Sequence, residues 1–124
     1  MQQKRKVKDL SNLHRRDFEW YVANRLKEKG WQNVKVGKGS SDNGRDIKAY
    51  WNGIPHLIQC KCYKTQSSIG VKTVRELLGV LVATEHQGVG VICATCNFTK
   101  PAKDFAKRNG ILLWGHDNLL QKIQ

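Results

Sequence analysis

Asn52-Gly53 constrains this chain more than any other pair of residues. It lies between two apolar-rich runs, and an Asn-Gly step so placed is the strongest short-range signal for a two-residue type I′ hairpin. Both central residues of that turn need positive φ, which asparagine and glycine tolerate. The turn sets a register with Trp51 opposite Ile54, Tyr50 opposite Pro55, Ala49 opposite His56, Ile47 opposite Ile58 and Asp46 opposite Gln59. With Trp51 and Ile54 hydrogen-bonded, alternation makes Asp46 and Gln59 a non-hydrogen-bonded pair, whose Cα atoms come within roughly 4.5 Å. Pro55 also falls at a non-hydrogen-bonded position, so its missing N–H breaks no rung of the ladder. The period of two puts Lys61 on the same face as Gln59. A carboxylate, an amide oxygen and an ammonium thus share one face of the ribbon. Ile47, Ala49, Ile58, Cys60 and Cys62 point the other way and read as core.

The oxygen atoms of Asp46 and Gln59 suit a hard divalent cation. Mg²⁺ characteristically takes one or two carboxylates and fills its other positions with water and substrate phosphate. Such a site fits phosphoester chemistry, with the ion acidifying water and neutralising phosphate charge while Lys61 orients the water or stabilises developing negative charge. Spacing alone is equally compatible with a surface hairpin whose polar face meets solvent, since polar alternation marks any half-exposed strand.

The chain's charge narrows the partners. Twenty-two Lys and Arg against ten Asp and Glu give a net charge of +12, and 124 residues with 40% hydrophobic content make one domain with a real core. A polyanion is the expected partner, because clustered Lys and Arg gain affinity by releasing counterions from a phosphate backbone. No apolar run approaches the roughly 20 residues needed to cross a bilayer, so no membrane association is expected. Residues Met1 to Lys8 carry Lys4, Arg5, Lys6 and Lys8 without an apolar core, which excludes a secretory signal and predicts a disordered basic arm over residues 1–10 ahead of a domain over 11–124.

Cys60, Cys62, Cys93 and Cys96 have spacing that admits a zinc reading. Strand alternation around Cys60 and Cys62, and the apolar run leading into Cys93, explain them as small buried hydrophobes instead. Reduced thiols fit an intracellular protein, cytoplasmic in a bacterium and otherwise nuclear or mitochondrial. His14, His56, His86 and His116 have no metal-ligand spacing, and the four tryptophans read as core or sheet-edge residues.

Ser11 is the expected N-cap of a first helix reaching Lys29, stopped by Gly30. Phe18, Tyr21, Val22 and Leu26 form its apolar stripe, and Glu19 lies along the margin, where its carboxylate would meet a metal, a cation such as Arg15, or water. Trp31–Val36 reads as a strand, 37–45 as a loop, the hairpin follows, and 66–70 is a polar linker. Helical spacing marks 71–84, and 89–95 is a strand buried on both faces. Thr99 caps a helix with Pro101 in its first turn and Asn109-Gly110 at its end; a strand at 111–114 and a helix at 117–123 close the chain. This order predicts a mixed α/β sheet in which the helix between the third and fourth strands makes a parallel, right-handed crossover.

These residues resemble the Mrr-like catalytic domain of restriction endonucleases, in the PD-(D/E)XK nuclease superfamily. The likeness runs through Phe18-Glu19, Asp42-Asn43-Gly44-Arg45-Asp46-Ile47, Gln59-Cys60-Lys61-Cys62-Tyr63, Val74-Arg75-Glu76-Leu77-Leu78-Gly79, and Phe98-Thr99 with Ala102, Phe105 and Ala106, in order from about Leu13 onward. It implies a restriction-endonuclease-like mixed sheet of about five strands flanked by helices, and a Mg²⁺-dependent endonuclease, with Mn²⁺ as a substitute ion, that hydrolyses DNA phosphodiesters. By the same resemblance Asp46, Gln59, Glu19 and the backbone carbonyl of Cys60 form the metal environment, and Lys61 serves the attacking water or the transition state. Gln59 stands where the superfamily usually has glutamate, and a missing unit charge is worth roughly 4 kcal/mol against an opposite charge at about 4 Å and effective ε of 20. Glu19 gains weight as the second anion. Cys62 stands where relatives often carry a basic residue. Complete Mrr-type proteins usually add a DNA-recognition domain, for which this length leaves no room, so a separate specificity partner is one expectation and a homodimer that cuts both strands another.

Lys38, Arg45, Lys64 and Lys72, in loops beside the hairpin site, are the expected DNA contacts; such contacts hold the backbone without reading bases. Two other functions stay open on sequence: a structure-selective nuclease for branched or repair intermediates, and a DNA-binding module with little turnover.

Overall fold

The computed structural model describes residues 6–37 and 46–123. Lys38 and Arg45 lie outside them, as do residues 1–5 of the basic arm. Helices α1 (Val7–Ser11) and α2 (Arg15–Glu28) lead into strands β1 (Gln32–Val36), β2 (Asp46–Trp51), β3 (Ile54–Lys61) and β4 (Ser68–Ile69). Helix α3 (Val71–Ala83), strands β5 (Val89–Ala94) and β6 (Asn97–Phe98), helix α4 (Lys100–Arg108), strand β7 (Leu112–Trp114) and helix α5 (Leu119–Ile123) complete the chain.

Asn52 and Gly53 take φ of 52° and 78°, the two positive values that a type I′ turn requires. The β2/β3 register follows from them and runs from Trp51 with Ile54 to Asp46 with Gln59. Five strands form one sheet in the order β1-β2-β3-β5-β7; its first two pairings are antiparallel and its last two parallel. The parallel β3/β5 contact arises because α3 carries the chain back across the sheet.

Side chains alternate between two cores. Ile47, Ala49, Ile58, Cys60, Val91 and Cys93 pack against Phe18, Val22, Ala23 and Leu26 of α2 and Leu119 and Ile123 of α5. Leu57, Ile92 and Ala94 pack against Val74 and Leu77 of α3 and Ala102 and Ala106 of α4. Thr99 caps α4 by accepting the Ala102 N–H, and Gly30 and Gly110, both at positive φ, follow α2 and α4. Among the described residues, no helix is long and apolar enough to cross a membrane.

Three local expectations are corrected. Ser11 does not cap the long helix; its hydroxyl donates to Lys8 O and closes α1, while the His14 ring accepts the Arg16 N–H at 3.1 Å and caps α2. Within the arm expected over residues 1–10, the chain is helical from Val7, and Val7 and Leu10, three apart on α1, are buried in the first core. Within the polar linker, Ser68–Ile69 pairs in parallel with Asn97–Phe98 and buries Ile69.

The turn into β5 is tightly packed. A Cβ on Gly88 would lie 2.0 Å from Pro55 O, backbone that cannot swing aside. Gly88→Ala is therefore expected to destabilise the fold by about 1–3 kcal/mol, read as a lower urea midpoint at unchanged m-value.

Candidate active site at the strand ends

β2 begins at Asp46, β3 ends at Lys61 and β5 ends at Ala94, so one end of the sheet gathers all three. Asp46 faces Gln59 across the hairpin, and Lys61 lies two residues beyond Gln59 on the same side. This face belongs to the α3/α4 layer: Gln59 pairs with Ile92 and Lys61 with Ala94, both in the second core. Gln59 is buried, whereas Asp46 and Lys61 are partly open to solvent.

Burial pushes the Asp46 carboxyl above its ordinary value, and the nearby Lys48 and Lys61 ammoniums oppose that rise. The lysine that the hairpin register placed beside Asp46 is thus within electrostatic reach of it. Lys48 is the residue that sequence reasoning missed. It sits two positions after Asp46 on the exposed side of the strand, and the same period of two that located Lys61 would have found it.

Glu19 comes from α2, on the opposite layer, and is only 2% exposed. Its position is tied to the strand ends through Cys60. That thiol is held well above its usual range, first by its hydrogen bond with Cys93, then by burial, and further by the negative charges of Glu19 and Asp46. Two carboxylates on two layers therefore act on one strand residue. Four polar or charged residues are buried among the described ones, Glu19, His56, Gln59 and Thr95. His56 is accounted for near the turn, where its Nδ1 lies 2.9 Å from Ile54 O and its ring meets Trp31 edge-on. Glu19, Gln59 and Thr95 are associated instead with the other end of β3, which is where costly buried polarity asks for a functional reason.

The remaining expected residues divide. Lys64 and Lys72 are exposed, the first just past β3 and the second in the first turn of α3. Cys62 Sγ lies 3.4 Å from the carbonyl oxygens of Leu10 and Leu13 and 3.8 Å from that of Ser11, so it ties the α1/α2 junction to the end of β3. All four cysteines are free thiols, with Cys60 beside Cys93 in the parallel register.

The donor set fits a hard cation: two carboxylates, an amide oxygen and, by the alternation of the hairpin ladder, a Cys60 carbonyl directed to the β2 side just past Asp46. Among the described residues, no group of three His, Cys, Asp or Glu side chains is placed to hold a metal ion.

A family model described as restriction endonuclease, of the Mrr catalytic type, matches residues 10–123. The chain belongs to that family. That family is one of restriction endonucleases, which generally use divalent metal ions. Solved structures share its fold. One is described as a protein of unknown function, AF1548, with 23% identity and a TM-score of 0.67 over 78% of this chain and 55% of that one. Another is the MspJI restriction endonuclease in complex with a 27-mer oligonucleotide, at 17% identity and TM-score 0.63 over 92% of this chain and 28% of that one. A third is the DNA modification-dependent restriction endonuclease AspBHI, at 15% identity and TM-score 0.57 over 95% and 37%. The Mrr-type domain thus spans from about a quarter to about half of these structures' lengths. No curated protein matches it.

Proposed function

We propose that this chain is a Mg²⁺-dependent DNA endonuclease whose cleavage site lies at the Asp46 end of the β2/β3 hairpin. The supporting observation is the pairing of Asp46 with Gln59, with Lys61 one step farther on the same face and close enough to act on the Asp46 carboxyl. Asp46, Gln59, Glu19 and the Cys60 carbonyl would hold the ion, with Mn²⁺ as a substitute. When bound, the ion supplies positive charge to the scissile phosphate and acidifies water for attack.

The chain's own groups do the rest. Asp46 and Glu19 bring negative charge, and Gln59 contributes an oxygen without adding charge to a crowded, partly buried place. Lys61 donates hydrogen bonds to the attacking water or to the phosphate oxygen that gains charge as the bond breaks. Lys48, Lys64 and Lys72, with Lys38 and Arg45, would hold the sugar-phosphate backbone. Cutting both strands takes two such sites, which we assign to a homodimer, and base specificity to a separate partner. The basic arm over residues 1–5 would add phosphate contacts.

Plasmid nicking with Mg²⁺, with Mn²⁺ and with EDTA tests the reading. Nicking is expected with either ion and not with EDTA, and DNA affinity is expected to fall steeply as salt rises. Binding without nicking under any ion would leave a DNA-binding module. A nearly flat dependence of log K on log salt would refute the electrostatic groove.

A further inference from the structure

We propose that Thr95 is a positioning residue for Lys61, a latch that fixes the last residues of β3 where the regular ladder has run out. This deepens the nuclease reading and rests on it. The parallel pairing of β3 with β5 ends at Lys61 and Ala94. Past that pair the connection continues through one residue. The Thr95 N–H donates to Lys61 O at 3.2 Å, the Thr95 hydroxyl accepts the Tyr63 N–H at 2.8 Å, and the same hydroxyl donates to Tyr63 O at 2.5 Å. Lys61 is therefore held from its own carbonyl and from both backbone groups of the residue two positions on.

Core packing does not account for a threonine here. The side chain is fully buried, between Ala94 and Cys96, where an apolar residue of the same shape would fill the space. Its hydroxyl instead serves the backbone of Tyr63, an exposed residue at the start of a polar turn in which Ser67 N–H donates to Lys64 O. Strand ends without such anchors fray, and a frayed end here would let the Lys61 ammonium wander relative to Asp46 and Gln59. The latch also sets where Tyr63 and Lys64 leave the sheet. Valine at 95 would keep the shape and delete both hydroxyl bonds, and the exposed Tyr63 backbone could then turn to water. The fold should survive while the alignment loosens.

Thr95→Val and Thr95→Ser in the full chain test this, with plasmid-nicking kcat and KM and with hydrogen exchange at the Tyr63 amide. Thr95→Val is expected to lower kcat about tenfold or more at unchanged KM, the cost of a misplaced catalytic group, and to lose protection at Tyr63. Thr95→Ser, which keeps the hydroxyl, is expected to restore both. Parent-like kcat in Thr95→Val, or a Tyr63 amide equally protected in it, would overturn the latch. So would equal losses in both variants accompanied by a common fall in Tm, which would mark a packing role. If the parent chain nicks no DNA, the nuclease reading fails, and the positioning role fails with it whatever the exchange shows.

Discussion

Asp46→Asn is expected to abolish nicking, by at least about a thousandfold, and at the same time to raise the Tm of the metal-free protein. The two effects share one cause. Burial is the largest influence on the Asp46 carboxyl and raises its pKa above the ordinary 3.8, with Lys48 and Lys61 only partly offsetting it. The folded chain consequently binds that proton more tightly than the unfolded chain does. The associated stabilisation is complete below the ordinary value and is lost as pH rises through the folded value. Above that folded value the ionised group is partly buried and a burden on the fold. Asparagine removes the burden along with the charge that a cation needs. Thermal melts without metal, nicking rates and filter binding on the two proteins read all of this. A variant that binds DNA normally, nicks at the parent rate and melts lower would count against Asp46 as the central acid.

Lys61→Ala carries the second large effect. Loss of an ammonium aimed at developing charge is expected to cost about a hundred- to a thousandfold in kcat with little change in DNA affinity. It should also leave a mark on the residual rate. Lys61 is one of two charges that lower the Asp46 pKa, so its removal lets burial act less opposed and moves the acid limb of the pH profile to higher pH. A rate loss with an unmoved acid limb would separate Lys61 from Asp46. Lys61→Arg is not expected to restore activity, since a planar guanidinium does not replace a compact point charge at the end of a strand.

The hairpin was readable because a two-residue Asn-Gly turn leaves no freedom in register, and that one inference located Asp46, Gln59 and Lys61 together. Caps with strong local chemistry were equally readable, as at Thr99 and Gly30. Features settled by distant packing were not. The break between α1 and α2 depends on Val7 and Leu10 finding the first core, and on a histidine acting as cap. Two-residue strands such as β4 and β6 show no periodicity, so their pairing was invisible. Glu19 sits on the stripe margin in sequence, yet it is only 2% exposed. Thr95 reads as the last residue of an apolar run. Its meaning comes from Tyr63, 32 residues earlier in the chain.

The β2/β3 turn closes over two residues, whereas β3 meets β5 only after the intervening helix has crossed the sheet. Local closure is fast and long-range parallel pairing is slow. Pairing of the acid with the amide therefore asks only for local closure, whereas the lysine's carbonyl is held through a contact that spans the whole crossover, so the two halves of one polar face differ in the sequence distance that secures them.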